Sequence, residues 1–208
     1  MSSLLKFAIP TVTVSFVAVG SYLVFFKKEG NKESLKSLIA KEGKRIILED
    51  NSENHDYIWE EIAKEYKKDN AISVKDISKS NVDKTHIKEY CKKTSSLTDV
   101  GLLIEYRTLC SRSSLIDQIN EDLKSQNKAW LTSKKKSDWD SLKSSYGDDS
   151  NSALLIPQKG QESTKVQKAA ITNELLMEWC QSVASKPFVS IENEDYKVAN
   201  FNCTTSIS

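Results

Sequence analysis

One stretch constrains this chain more than any other: residues 7–26, FAIPTVTVSFVAVGSYLVFF, carry no charged side chain. A helix of that length rises about 30 Å, the thickness of a bilayer's hydrocarbon core. Lys6 precedes it, and Lys27 and Lys28 close it. Tyr22, Phe25 and Phe26 fall at the level of an aromatic belt, and Pro10 lies near one end, where a kink is tolerated. The run from Phe7 to Phe26 therefore predicts a single-pass transmembrane helix, with residues 1–28 as anchor and 29–208 as a soluble domain. A cleaved signal peptide is the competing reading, with Ala18-Val19-Gly20 as the cleavage site. Against it, the apolar run continues through Tyr22 to Phe26, so cleavage would leave a greasy stub.

Orientation has two readings. Basic residues are denser after the segment (Lys27, Lys28, Lys32, Lys36, Lys41), which by the positive-inside rule keeps the domain in the cytoplasm. A short N-terminus with one hydrophobic run is also how many bacterial proteins are exported. A domain of this length can translocate largely regardless of its charge.

The full chain has 30 basic and 29 acidic residues. Lys6 is the one charge before residue 27, so the remainder is neutral. Nucleic-acid-binding domains show a basic excess on one face, and this balance speaks against that partner class. The basic residues are almost all Lys; Arg occurs at 45, 107 and 112 only. Phosphate recognition favours Arg forks, so that composition argues mildly against it too.

Past the anchor, apolar spacing is helical almost throughout. Ile58, Trp59, Ile62, Ala63 and Tyr66 follow i, i+3, i+4, i+7, with charges on the other face. Leu102, Leu103, Tyr106, Leu109 and Cys110 repeat the pattern, as do Leu115, Ile116, Ile119 and Leu123 behind a Ser113 or Ser114 cap. Val166 to Val183 reads as a longer helix. Residues 147–151 and 157–160 read as loops, and Phe188-Val189 and Tyr196 to Phe201 as short strands. The expected class is mostly α: a transmembrane helix followed by a small all-helical domain.

That domain carries an internal echo. Trp59-x-x-Ile62-x-x-x-Tyr66 recurs 80 residues later as Trp139-x-x-Leu142-x-x-x-Tyr146. Tyr90-Cys91 is echoed by Trp179-Cys180, and Tyr106 with Cys110 by Tyr196 with Cys203. The shared order predicts two degenerate helical repeats, 45–112 and 126–203. The duplication favours disulfides Cys91–Cys110 and Cys180–Cys203, one in each half. Four buried thiols are the alternative if the domain is cytosolic.

Catalytic, cofactor and metal sites are not expected. Zinc lacks CxxC or HxxxH spacing. His86 and Cys91 are poorly aligned for a thiol nucleophile. A calcium loop tried on Asp50 to Glu61 has His55 where a Gly is needed. Lys134-Lys135-Lys136 reads as a solvated turn. Asn202-Cys203-Thr204 fits a glycosylation acceptor.

The combination resembles the large paralogous families of uncharacterised membrane-anchored proteins in haemotropic mycoplasmas. The matching residues are the segment from Phe7 to Phe26, Trp59 with Tyr66, Trp139 with Tyr146, Tyr90-Cys91 and Trp179-Cys180. The resemblance spans the chain through loose motifs, and Phe201-Asn202-Cys203 departs from the family's aromatic–Cys ending. It implies no activity and no catalytic residues. Paralogue multiplicity in a wall-less blood parasite implies surface display. The expected protein is a non-enzymatic antigen or adhesin in the cell membrane, with lipid around its anchor and a host or membrane protein as partner. A cytoplasm-facing structural or assembly module is the alternative.

Overall fold

A computed structural model describes residues 33–52, 55–148 and 153–207. The hydrophobic segment at 7–26 lies outside the described residues. Among the described residues no helix is long and apolar enough to cross a membrane.

The described chain is mostly helical, and one succession of elements runs through it twice. The first lobe opens with α1 (Leu35–Lys41), then β1 (Arg45–Ile47), then α2 (Asp56–Tyr66) bearing Trp59 and Tyr66. A long connection leads to α3 (Lys84–Thr94) with Cys91, α4 (Leu103–Cys110) and β2 (Ser111–Ser113). The second lobe opens with α5 (Leu115–Leu123), then β3 (Lys128–Trp130). A 3₁₀ turn, Lys136–Trp139, then runs into α6 (Asp140–Ser145), with Trp139 and Tyr146 at its ends. The connection here contains the hairpin β4 (Pro157–Gln158) and β5 (Gln161–Lys165). It leads to α7 (Asn173–Ala184) with Cys180, α8 (Glu194–Asn202) and β6 (Thr204–Ser206).

In each lobe the first strand pairs antiparallel with the last, β1 with β2 and β3 with β6. That pairing ties the lobe's two ends together. Each lobe also encloses its own core. One gathers Leu35, Ile39, Trp59, Ile62, Tyr66 and Ile87; the other Leu115, Ile119, Trp139, Tyr146, Leu176 and Val183.

The correspondence reaches individual hydrogen bonds. Ser34 caps α1 and Ser114 caps α5, each side chain accepting from the amide three residues on at 3.2 Å. The first amide of α1, Leu35, donates to Leu97 O in the α3–α4 loop; that of α5, Leu115, donates to Lys186 O in the α7–α8 loop, both at 2.8 Å. Leu48 N donates to Cys110 O, and Leu131 N to Cys203 O. The two tyrosines are matched most closely. Tyr66 Oη accepts from Val74 N (2.8 Å) and donates to Ile77 O (3.0 Å). Tyr146 Oη accepts from Ile156 N (2.9 Å) and donates to Val166 O (2.8 Å). Each phenol pins the irregular connection that follows its helix and supplies partners to backbone groups that no helix or sheet satisfies.

Tyr66→Phe and Tyr146→Phe keep ring and volume but strand one buried amide and one carbonyl apiece. Each is expected to cost about 1–3 kcal/mol, read as a lower urea midpoint at unchanged slope. A midpoint equal to that of the parent chain would show that the hydroxyls do not hold the connections.

The lobes abut at their shared boundary. Ser114 bridges Pro187, Phe188 N donates to Ser113 O at 2.9 Å, and Val189 packs on the first core.

Several sequence expectations are corrected. The domain is not all-helical: six short strands form three antiparallel pairs among the described residues. Tyr196 to Phe201 is not a strand but lies within α8. The Asn193 side chain caps that helix by accepting from Tyr196 N, with Glu194 and Asp195 in its first turn. Phe188-Val189 is not a strand of its own. The loop at 157–160 is half of the β4–β5 hairpin, with Gly160 at φ +78° in its turn. The long helix from Val166 starts only at Asn173, behind a Thr172 cap. The α1 and α5 helices lie outside the bounds 45–112 and 126–203, and each opens its lobe.

Candidate functional site

The four cysteines meet in two pairs. Cys91 and Cys110 join α3 to α4 with Cα atoms 5.4 Å apart, and Cys180 and Cys203 join α7 to the end of α8 at 5.7 Å. All four are buried. Ile87 lies one turn before Cys91, and Leu176 one turn before Cys180, both fully buried. Tyr90 and Trp179 are half-buried beside them. The third echo is out of register: Tyr106 precedes its cysteine by one turn and Tyr196 by two, so Ala199 takes the place of Tyr106.

The remaining sequence candidates are occupied by structural roles. Asp83 caps α3 by accepting from the amides of Thr85 and His86, and the His86 ring closes a capping box on it. Those bonds hold the Asp83 carboxyl below its usual range. His55 Nδ1 accepts from Glu49 N, while Asp56 pairs with Lys84 and Lys88. Lys136 pairs with Glu174. Asn202 is 1% exposed, and its Nδ2 donates to Leu154 O and Val198 O, so the folded domain does not offer it for glycosylation. No group of three or more His, Cys, Asp or Glu side chains converges on a metal-sized site among the described residues.

A shallow cleft of about 510 Å³ opens in the second lobe, between α5, β3, α8 and β6. Leu123, Leu154, Tyr196 and Phe201 supply its apolar surface, with Lys128, Asn200 and Thr204 among its polar groups. Ile191 stands at its edge, half exposed. Tyr196 Oη donates to Asp122 Oδ2 at 2.7 Å, and Lys197 pairs with Glu192. The lining contains no nucleophile activated by a base and no pair of carboxylates. Two ammonium groups, Lys128 and Lys197, and the polar side chains of Gln126, Asn200 and Thr204 stand over an apolar floor, which suits binding. Spacing alone did not single out this cleft.

The corresponding strand pair of the first lobe, β1 with β2, carries an arginine. Arg45, at the start of β1, donates from Nε to Ser111 Oγ at 2.8 Å. Its Nη2 donates to Ser111 O at 2.9 Å and to Arg107 O at 3.0 Å. Burial, and next the neighbouring Arg107, bring its pKa down to about 10, so it is still charged at neutral pH. Arg107 pairs with Glu42 and Arg112 with Glu65. All three arginines of the chain thus gather at the β1–β2 pair.

Burial raises the pKa values of five phenols, Tyr57, Tyr90, Tyr106, Tyr146 and Tyr196. Asp195 adds to the effect at Tyr57, Glu105 at Tyr90 and Asp122 at Tyr196. A raised phenol pKa means that the folded chain holds its proton longer than the unfolded chain does. This stability is intact below the ordinary value of about 10 and is lost as pH climbs through the folded values. Tyrosinate absorbance at 295 nm is expected to rise late and together with loss of helical circular dichroism. Titration of all tyrosines near the ordinary value, with the fold intact, would contradict this.

No protein-family model, curated protein or solved structure matches the chain.

Proposed function

We propose that this chain is a single-pass membrane protein whose two-lobed domain is displayed outside the cell and acts by binding, as an antigen or adhesin does, rather than by catalysis. The observation that carries the reading is the disulfide in each lobe. Such bonds persist in oxidising surroundings and are kept reduced in a cytosol. The uncharged run at 7–26 supplies the anchor, and the neutral charge balance disfavours nucleic acid as partner. The resemblance to uncharacterised membrane-anchored families of haemotropic mycoplasmas carries the same expectation. The cleft, with mixed polar groups over an apolar floor, is where a binding function would be seated.

Protease shaving of intact cells tests the reading. Release of peptides from 33–207, with cytosolic controls intact, is the expected result. Peptides released only after lysis would sink it. The module would then face the cytoplasm, as the lysines after the anchor favour, and would be a tethered structural or assembly unit.

A further inference from the structure

The two lobes build one frame and fill it differently. Arg45 and Lys128 each open the first strand of their lobe, and Ser113 and Ser206 stand opposite them in the pairing. Arg107 and Asn200 each lie three residues before the lobe's second cysteine, and Ser111 and Thr204 each follow it. The last pair behave alike. Ser111 Oγ donates to Arg107 O at 2.7 Å, and Thr204 Oγ1 donates to Asn200 O at 2.7 Å. In the first lobe these groups form the acceptor set of the Arg45 guanidinium: Ser111 Oγ, Ser111 O and Arg107 O, with Ser113 Oγ at 3.4 Å. The second lobe keeps the matching hydroxyls and carbonyls but has exposed Lys128 in place of the arginine. The open cleft lies there, lined by Lys128, Asn200 and Thr204.

We propose that the cleft of the second lobe receives an arginine side chain of a partner protein, seated as Arg45 is seated in the first. The guanidinium donates to Thr204 Oγ1, Thr204 O and Asn200 O, a planar fork meeting fixed acceptors. Its aliphatic stem covers Phe201 and Leu123. Positive neighbours do not forbid this. Arg45 sits beside Arg107 and Arg112, while Glu42 answers Arg107. In the second lobe Lys197 is answered by Glu192, and Asp122 lies behind Tyr196. The lysine at 128 cannot reproduce the fork, because an ammonium is a point donor. The inference depends on the cleft alone and holds for either membrane orientation, so shaving and the experiment below fail independently.

The test uses the full-length protein in detergent micelles, with Nα-acetyl-arginine amide as probe and amide chemical shifts as readout. Saturable shifts confined to Lys128, Asn200, Phe201 and Thr204 are expected, with Nα-acetyl-lysine amide binding roughly tenfold more weakly. Lys128→Arg is expected to fill the cleft from within, raising Tm and abolishing probe binding. Thr204→Val is expected to weaken binding while leaving the lobe folded. No saturable shift, equal binding of the lysine amide, or undiminished binding by folded Lys128→Arg would each overturn the proposal. So would preference for Nα-acetyl-glutamate amide, which would make the rim lysines the recognition elements.

Discussion

Trp59→Ala and Trp139→Ala, made separately, are each expected to destabilise the domain by about 3–5 kcal/mol, the range for removing a large aromatic side chain from a packed core. Both indoles are fully buried, one at the centre of each core. The loss combines apolar surface returned to water with a cavity that rigid neighbours do not refill. Trp139 should cost more, because its Nε1 also donates to Ser133 O at 3.0 Å and that carbonyl would lose its partner. No acceptor meets Trp59 Nε1 among the described residues. The position 80 before Ser133 is residue 53, which lies outside them. Urea unfolding of the three proteins reads the effect. A loss below about 1 kcal/mol for either variant would show that its core is not organised around the tryptophan.

Reduction of the disulfides is the second large effect. The bridges close loops with sequence separations of 19 and 23 residues. In the chain-entropy account each restricts the unfolded chain enough to add about 3 kcal/mol. Together they supply about 6 kcal/mol, against a typical total of roughly 5–15 kcal/mol for a natural domain. The reduced domain is therefore expected to lose a large share of its stability and to melt far below the oxidised protein. Cys91→Ser and Cys180→Ser should each give about half of that loss. Coincident melts with and without reductant would remove the disulfides from any part in stability.

The helical character of this domain is legible where a helix buries one face at regular spacing. The α2 and α5 faces, Ile58-Trp59-Ile62-Tyr66 and Leu115-Ile119-Leu123, are such cases. The double Trp–Tyr motif is legible because each Tyr has a fixed job, pinning the connection behind its helix. The strands are not, since three residues carry no readable period and their partners lie far along the chain. α8 reads as a strand because Tyr196, Val198 and Phe201 are aromatic or β-branched. Its capping residue, Asn193, and the acidic pair behind it were the signal for a helix. Ser34-Leu35 and Ile39 recur at the same 80-residue interval as Ser114-Leu115 and Ile119, so the start of each lobe is legible in the sequence as well. The cleft was hidden for another reason. It exists where the two lobes differ, Arg45 against Lys128, and a search for likeness passes over the position that diverged.

The most direct measurement is a peptide map of the native protein, alkylated on harvest and digested without reductant. The account predicts two linked species, one joining the Cys91 and Cys110 peptides and one joining those of Cys180 and Cys203, with no alkylated cysteine. A bridge between the lobes would contradict two self-contained lobes, and four alkylated thiols would contradict display outside the cell.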